Sequence, residues 1–284
     1  MIFSFFKSTK LPQICFAFLT SAITLFFNSS VELDTLFFSS FLIYFFTFLL
    51  CILIVSKNLY YTTSNFSSLA LISFTIFLAE SEIKVSIYLS SFFLIFALRK
   101  IYLLTTDKRV NAKLFDIGFW FAISVITSFY SILFIPTFLF GIFLFFKTNI
   151  TALLRVLIGA LAATLVFLFT NNFLLGNELN INCVPFSKIQ LSTPDNQLIL
   201  LFVTALFLFY MLSSFSSNLK TIRYNLFMTV YFLNSLALVL ISKDLFIFLF
   251  FPFLLSFSNI ISQIKRKLIF EISLILIIFT MYYL

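Results

Sequence analysis

Apolar runs of bilayer-spanning length recur along this chain from one end to the other. No polar stretch between them is long enough to fold as a soluble domain of useful size. A helix needs about 20 predominantly apolar residues to cross a membrane, and this chain offers that pattern repeatedly. The composition agrees. Of the 284 residues, 62% are apolar and 10% charged, where a soluble domain carries about 25% charged residues. The mean hydropathy is +1.15. The sequence therefore predicts an all-α fold, a polytopic membrane helix bundle that forms a single integral membrane domain over residues 1–284. The 47 phenylalanines fit an AT-rich genome choosing among equivalent apolar residues.

Eleven apolar segments are expected, at 11–30, 35–55, 66–79, 85–98, 114–129, 131–146, 153–175, 197–215, 224–241, 245–262 and 268–284. Charge orients them. With the N-terminus on the cytoplasmic side, fifteen of the 18 basic residues fall on the inner face, and only Lys84, Lys188 and Lys243 fall outside. The acids divide the other way. Glu32, Asp34, Glu80, Glu82, Glu178, Asp195 and Asp244 lie outside, and Asp107, Asp116 and Glu271 lie near the inside. Lys and Arg are retained on the cytoplasmic side of bacterial membranes, so this sorting predicts an inner-membrane protein with a periplasmic C-terminus. The basic balance, net +8, then reflects topology and anionic lipid, with no nucleic-acid partner implied.

Four segments are short. Those at 66–79 and 85–98 read as about 21 Å of helix against about 30 Å of hydrocarbon, and the pair at 114–129 and 131–146 is only slightly longer. Each pair starts and ends on the inner side, so each is either a full crossing or a re-entrant hairpin. A recessed turn at Glu80 and Glu82 would have to line a protein cavity or a water-filled cleft, because lipid tolerates no exposed turn.

This places the candidate chemistry. Glu80-x-Glu82 is the candidate catalytic pair. Two close carboxylates can share a proton and act as general acid or base. They can also hold a divalent cation and, through it, a pyrophosphate; that cation is the one cofactor suggested. Glu32-x-Asp34 is a second acidic pair on the same side and a candidate for substrate binding. Arg99 and Lys100 open the densest basic stretch, with Lys108, Arg109 and Lys113, and are candidates for binding a lipid phosphate. The plainer reading of all six is solvated loop acids and topology-setting cations. Asp116, three residues after Lys113, and Glu271, four after Lys267, are expected to pair locally near the inner interface. Gly118 with Ala122 and Gly159 with Ala163 suit close helix contact. Pro252 is expected to kink its segment.

Several chemistries are excluded. There is no histidine, hence no imidazole base and no His-ligated metal or haem. The three cysteines show no metal spacing. Four scattered glycines cannot build a phosphate loop, and no G-x-S-x-G elbow occurs. The basic and apolar N-terminus lacks an A-x-A cleavage site and reads as a retained first helix.

Two stretches carry a likeness: the opening Phe5-Phe6-Lys7-Ser8-Thr9-Lys10, and ALRKIYLLTTDKRVNAKLFDIGFWFAISVITSFYS at 97–131. They resemble an uncharacterised family of multi-pass inner-membrane proteins of flavobacteria and their relatives, most clearly over residues 1–160. The family brings no catalytic residues with it. Its members often carry a carotene-monooxygenase label, whose His-ligated iron this His-free chain cannot hold. The acidic pairs Glu32/Asp34 and Glu80/Glu82, with the run closing in Ala97-Leu98-Arg99-Lys100, are also similar to polytopic glycosyltransferases and polysaccharide polymerases that use lipid-linked sugars. The first outer loop here is far shorter than theirs, and no soluble outer domain follows. The likeness implies handling of a lipid-linked glycan or lipid intermediate at the periplasmic face. A non-catalytic subunit or scaffold of an envelope assembly, partnered by other membrane subunits, is the alternative, and a transporter the third.

Overall fold

The computed structural model describes residues 11–28, 35–57, 67–78, 84–105, 109–146, 150–170, 203–205, 207–208, 211 and 219–263. Every regular element among these residues is helical. In chain order they are α1 (Leu11–Asn28), α2 (Thr35–Lys57), α3 (Ser67–Leu78), α4 (Val85–Tyr102), α5 (Val110–Thr127), α6 (Ile135–Phe145), α7 (Ile150–Phe169), α8 (Leu219–Ile241) and α9 (Phe250–Gln263). Three 3₁₀ turns, Leu103–Thr105, Phe129–Phe134 and Lys243–Leu249, extend or precede them. Five helical stretches are long and apolar enough to cross a membrane: Phe37–Val55, Val85–Thr105, Val110–Thr127, Ile150–Phe169 and Ile222–Ile241. Segment 268–284 and most of 197–215 lie outside the described residues, as do residues 176–197.

The segment expected at 85–98 is not short. Its helix runs on through Arg99 and Lys100, and with the 3₁₀ turn reaches Thr105, 21 residues in all. Nothing in the sequence stops it. Arg and Lys are good helix formers, and cations in a last turn interact favourably with the helix dipole. Ile101 and Tyr102 then resume the buried face, at 0% and 1% exposure. α3, by contrast, is short, with 12 residues.

The chain divides into two compact units, Val85–Ile189 and the remainder. In the first, α4 and α5 pack as a hairpin and α7 packs on α5. Lipid tails are as apolar as leucine, so helices in a membrane associate through close packing rather than through the hydrophobic effect. Gly118 and Gly159 provide that packing. A Cβ on Gly118 would lie 1.9 Å from the Val156 carbonyl oxygen, and one on Gly159 would lie 2.1 Å from that of Phe115. The backbones of α5 and α7 therefore touch at this crossing, with Ala122 and Ala163 buried one turn on.

α5 ends at Ser128, whose backbone is extended (φ −150°, ψ 116°). A 3₁₀ stretch and α6 follow, with Pro136 in the first turn. Proline is tolerated there because its missing N–H has no intrahelical partner to lose. A 3₁₀ turn rises about 2.0 Å per residue, so Phe129–Phe145 reaches about 28 Å, close to a full crossing. Tyr102 and Phe145 meet with ring centroids 5.9 Å apart, so α6 returns to the end where α4 finishes. At the other end Ser90, Ser124 and Ser131 are all fully buried. Ser90 Oγ donates to the Ser124 carbonyl at 2.8 Å, Ser124 Oγ returns the bond to the Ser90 carbonyl at 2.8 Å, and the Ser90 and Ser131 hydroxyls bond to each other.

The second unit has an aromatic core built on Phe250, which packs against Tyr44 at 5.1 Å and Phe74 at 5.0 Å between ring centroids. The Tyr44 hydroxyl donates to the Leu71 carbonyl at 3.2 Å. Thr75 Oγ1 lies 3.4 Å from Ser21 Oγ, joining α3 to α1. The kink expected at Pro252 takes the form of a restart. 3₁₀ backbone changes to α just before Phe250, which leaves Pro252 in the first turn of α9.

Candidate functional site

Of the six residues singled out from the sequence, Glu32, Asp34, Glu80 and Glu82 lie outside the described residues. The divalent cation suggested for the acidic pairs rests on them alone. Arg99 and Lys100 are described, and they sit at a structured site, the α4–α5 hairpin end.

α4 brings Arg99 and Lys100 into its last turn. Arg109 begins the return as the N-cap of α5, in the left-handed region at φ 53°. That conformation is uncommon for a residue with a side chain. It lets the Arg109 carbonyl accept the first helical bond, from Lys113 N at 3.2 Å. Two side chains of α5 then reach back to the outgoing strand of the hairpin. Lys113 Nζ donates to the Leu103 carbonyl at 2.7 Å, a charge-assisted cap on carbonyls that a helix end leaves without partners. Asp116 Oδ2 accepts from Lys100 Nζ at 2.6 Å, with side chains 33% and 28% exposed. This corrects the expectation that Asp116 pairs within its own helix. Its partner is 16 residues back in the chain, on α4.

Among the described residues, four cations and one carboxylate thus meet at one hairpin end. Asp116 offsets Lys100, and Lys113 is turned onto a carbonyl. Arg99 and Arg109 have no ion-pair partner among the described residues.

One helical turn further in, on the same faces, lies an aromatic stack that the sequence reading missed. Trp120 is stacked with Phe96 (centroids 5.2 Å, planes 25° apart) and with Phe93 (5.6 Å, 13°). Phe92 meets Phe96 edge-on at 4.9 Å. These rings are partly exposed. The signal was present in the spacing: Phe96 precedes Lys100 by four residues and Asp116 precedes Trp120 by four. Each pair therefore shares a helix face, and the ion pair predicts the ring pair below it.

The other unit holds a second ion pair. Lys84 Nζ donates to Asp244 Oδ2 at 2.7 Å, across 160 residues of chain, with Lys84 52% and Asp244 13% exposed. Asp244 is positioned by Ser242, whose Oγ accepts from the Asp244 N–H at 3.4 Å. Lys84 and Asp244 are among the residues that the charge sorting places together on the outer side.

Comparison of the chain with family models, with curated proteins and with solved structures gives no match, so the functional reading rests on these residues and their geometry.

Proposed function

We propose that the protein is a multi-pass protein of a bacterial inner membrane, with its N-terminus cytoplasmic and C-terminus periplasmic, that handles a lipid-linked glycan or lipid intermediate. The observation that carries this reading is the hairpin of α4 and α5. Both arms are long and apolar enough to span. All four of the hairpin's described arginines and lysines gather at one end, and the buried serine knot lies near the other. A span with its cations on one side is what the positive-inside rule selects. The likeness to polytopic glycosyltransferases and polymerases supports Glu80 and Glu82 as the working carboxylates at the outer face, with Glu32 and Asp34 beside the substrate.

A non-catalytic membrane subunit is the second reading. It is favoured by α7, which buries only Ala152, Gly159 and Ala163 and leaves Leu157, Leu161 and Leu165 exposed. The test is the double substitution Glu80→Gln and Glu82→Gln, which removes charge and keeps size. The double variant should stay in the carbonate-resistant membrane fraction at wild-type level and reproduce the envelope phenotype of a deletion. Normal function in that variant would end the enzymatic reading and leave the subunit.

A further inference from the structure

We infer that the outer face of the α4–α5 hairpin is a binding site for one anionic phospholipid of the inner leaflet, its phosphate on Arg99 and its acyl chain along Phe92, Phe96 and Trp120. The inference rests on the membrane reading above and adds the ligand class, the leaflet and the residues.

The argument starts with which charges are already engaged. Lys100 is held by Asp116 at 2.6 Å, and Lys113 by the Leu103 carbonyl at 2.7 Å. Arg99 is partly exposed and has no ion-pair partner among the described residues. Its guanidinium offers a planar fork of donors that matches phosphate oxygens. Arg109, exposed at the hairpin turn, adds charge at the same end. Among the described residues, four cations against one carboxylate leave the site complementary to an anion, and Asp107 and Lys108 in the turn cancel in the sequence balance. An arginine at this depth also reaches the headgroup layer readily, because its aliphatic stem can lie along apolar surface.

The second half is the stripe beneath. Phe92, Phe96 and Arg99 are spaced i, i+4 and i+7, so they line one face of α4 with Arg99 at the headgroup end. Trp120 closes the stripe from α5 by stacking on Phe96 at 5.2 Å. The Lys100–Asp116 bridge and the Phe96–Trp120 stack are successive rungs between the same two helices. They hold the stripe rigid, so little ordering is lost when a chain lies along it. Cationic head contact over a preformed apolar stripe fits an amphiphile carrying a phosphate anion.

The chain has one tryptophan, so indole fluorescence reports this site alone. The full chain is reconstituted in vesicles of phosphatidylcholine and phosphatidylglycerol at fixed ratio, with dibrominated chains on one lipid at a time. Brominated phosphatidylglycerol should quench Trp120 about fivefold more per mole than brominated phosphatidylcholine, since one arginine near the surface is worth about that factor. Arg99→Gln should bring the ratio to near one. Arg99→Lys should restore part of it. Equal quenching by the two lipids in the unmodified protein would overturn the site and leave the membrane reading standing. Selectivity unchanged in Arg99→Gln would overturn the role of Arg99, and no quenching by either lipid would overturn the apolar stripe. Release of the chain by carbonate would instead overturn the membrane reading itself.

Discussion

Lys100 and Asp116 show how one contact changes the local account of a chain. Each is about one-third exposed, so water and salt screen the pair, and exposed pairs contribute only about 0.2–1 kcal/mol. Two charges at the end of an apolar run read as a stop, yet α4 continues through them to Tyr102, and the pair ties that last turn to α5. A double-mutant cycle should therefore find Lys100→Gln and Asp116→Asn coupled by about 0.5–1 kcal/mol in unfolding from bicelles, with the coupling shrinking as salt is raised. Additive effects would mean that the two side chains do not support each other. Lys84 and Asp244 form the comparable pair of the other unit. With Asp244 only 13% exposed, substitution of Lys84 removes the cation bonded to a mostly buried carboxylate.

Among elements, the crossing of α5 and α7 is a backbone-to-backbone contact and was legible as two small-residue pairs, Gly118/Ala122 and Gly159/Ala163. What the sequence does not reveal is that the two pairs face each other, each glycine against the carbonyl of the opposite helix. Because both neighbours are backbone, no side chain can move aside. Gly118→Ala or Gly159→Ala should each lower stability by about 1–3 kcal/mol through overpacking, seen as a lower melting temperature in detergent with helix content unchanged at low temperature. A neutral Gly118→Ala would mean that the helices stand further apart. The C-terminal ends of α5 and α8 were legible to within two residues, in the segments expected at 114–129 and 224–241. α5 ends on Ser128 and α8 on Ser242, each serine is extended, and each is followed by a 3₁₀ stretch and a helix with proline in its first turn. Lys243 and Asp244 interrupt the apolar run after α8, so charge marked that break, whereas the break after α5 lies in an apolar stretch and the expected segment overran it by two residues. Paired interruptions in the two parts of a chain are also a feature of transporters, and this recurrence is the observation that favours that third reading.

At the scale of the whole molecule, the helical class and the run of spanning segments were legible because the bilayer permits so few solutions. The acidic candidates were legible only as a pattern, since two carboxylates two residues apart look alike on a solvated loop and in a recessed turn. Topology is where the whole chain can be tested at once. The charge sorting puts Lys57, Arg99, Lys113 and Arg223 on the inner side, and the ion pair of Lys84 with Asp244 joins two residues that it puts on the same, outer side. In a membrane, that pair requires an even number of crossings between Lys84 and Asp244, as the proposed topology has it. Reporter fusions after Lys57, Lys113, Lys147 and Lys220 should therefore read cytoplasmic, and fusions after Asp195 and at the C-terminus should read periplasmic. Segment 153–175 decides the first of these two and segment 268–284 the second. A cytoplasmic signal from the C-terminus, with Lys220 still cytoplasmic, would remove segment 268–284 as a crossing and reduce the count to ten. A periplasmic signal after Lys113 would do more, because it would put Arg99, Lys100 and Arg109 on the wrong side of the membrane for the positive-inside rule and with them the inner-leaflet lipid site.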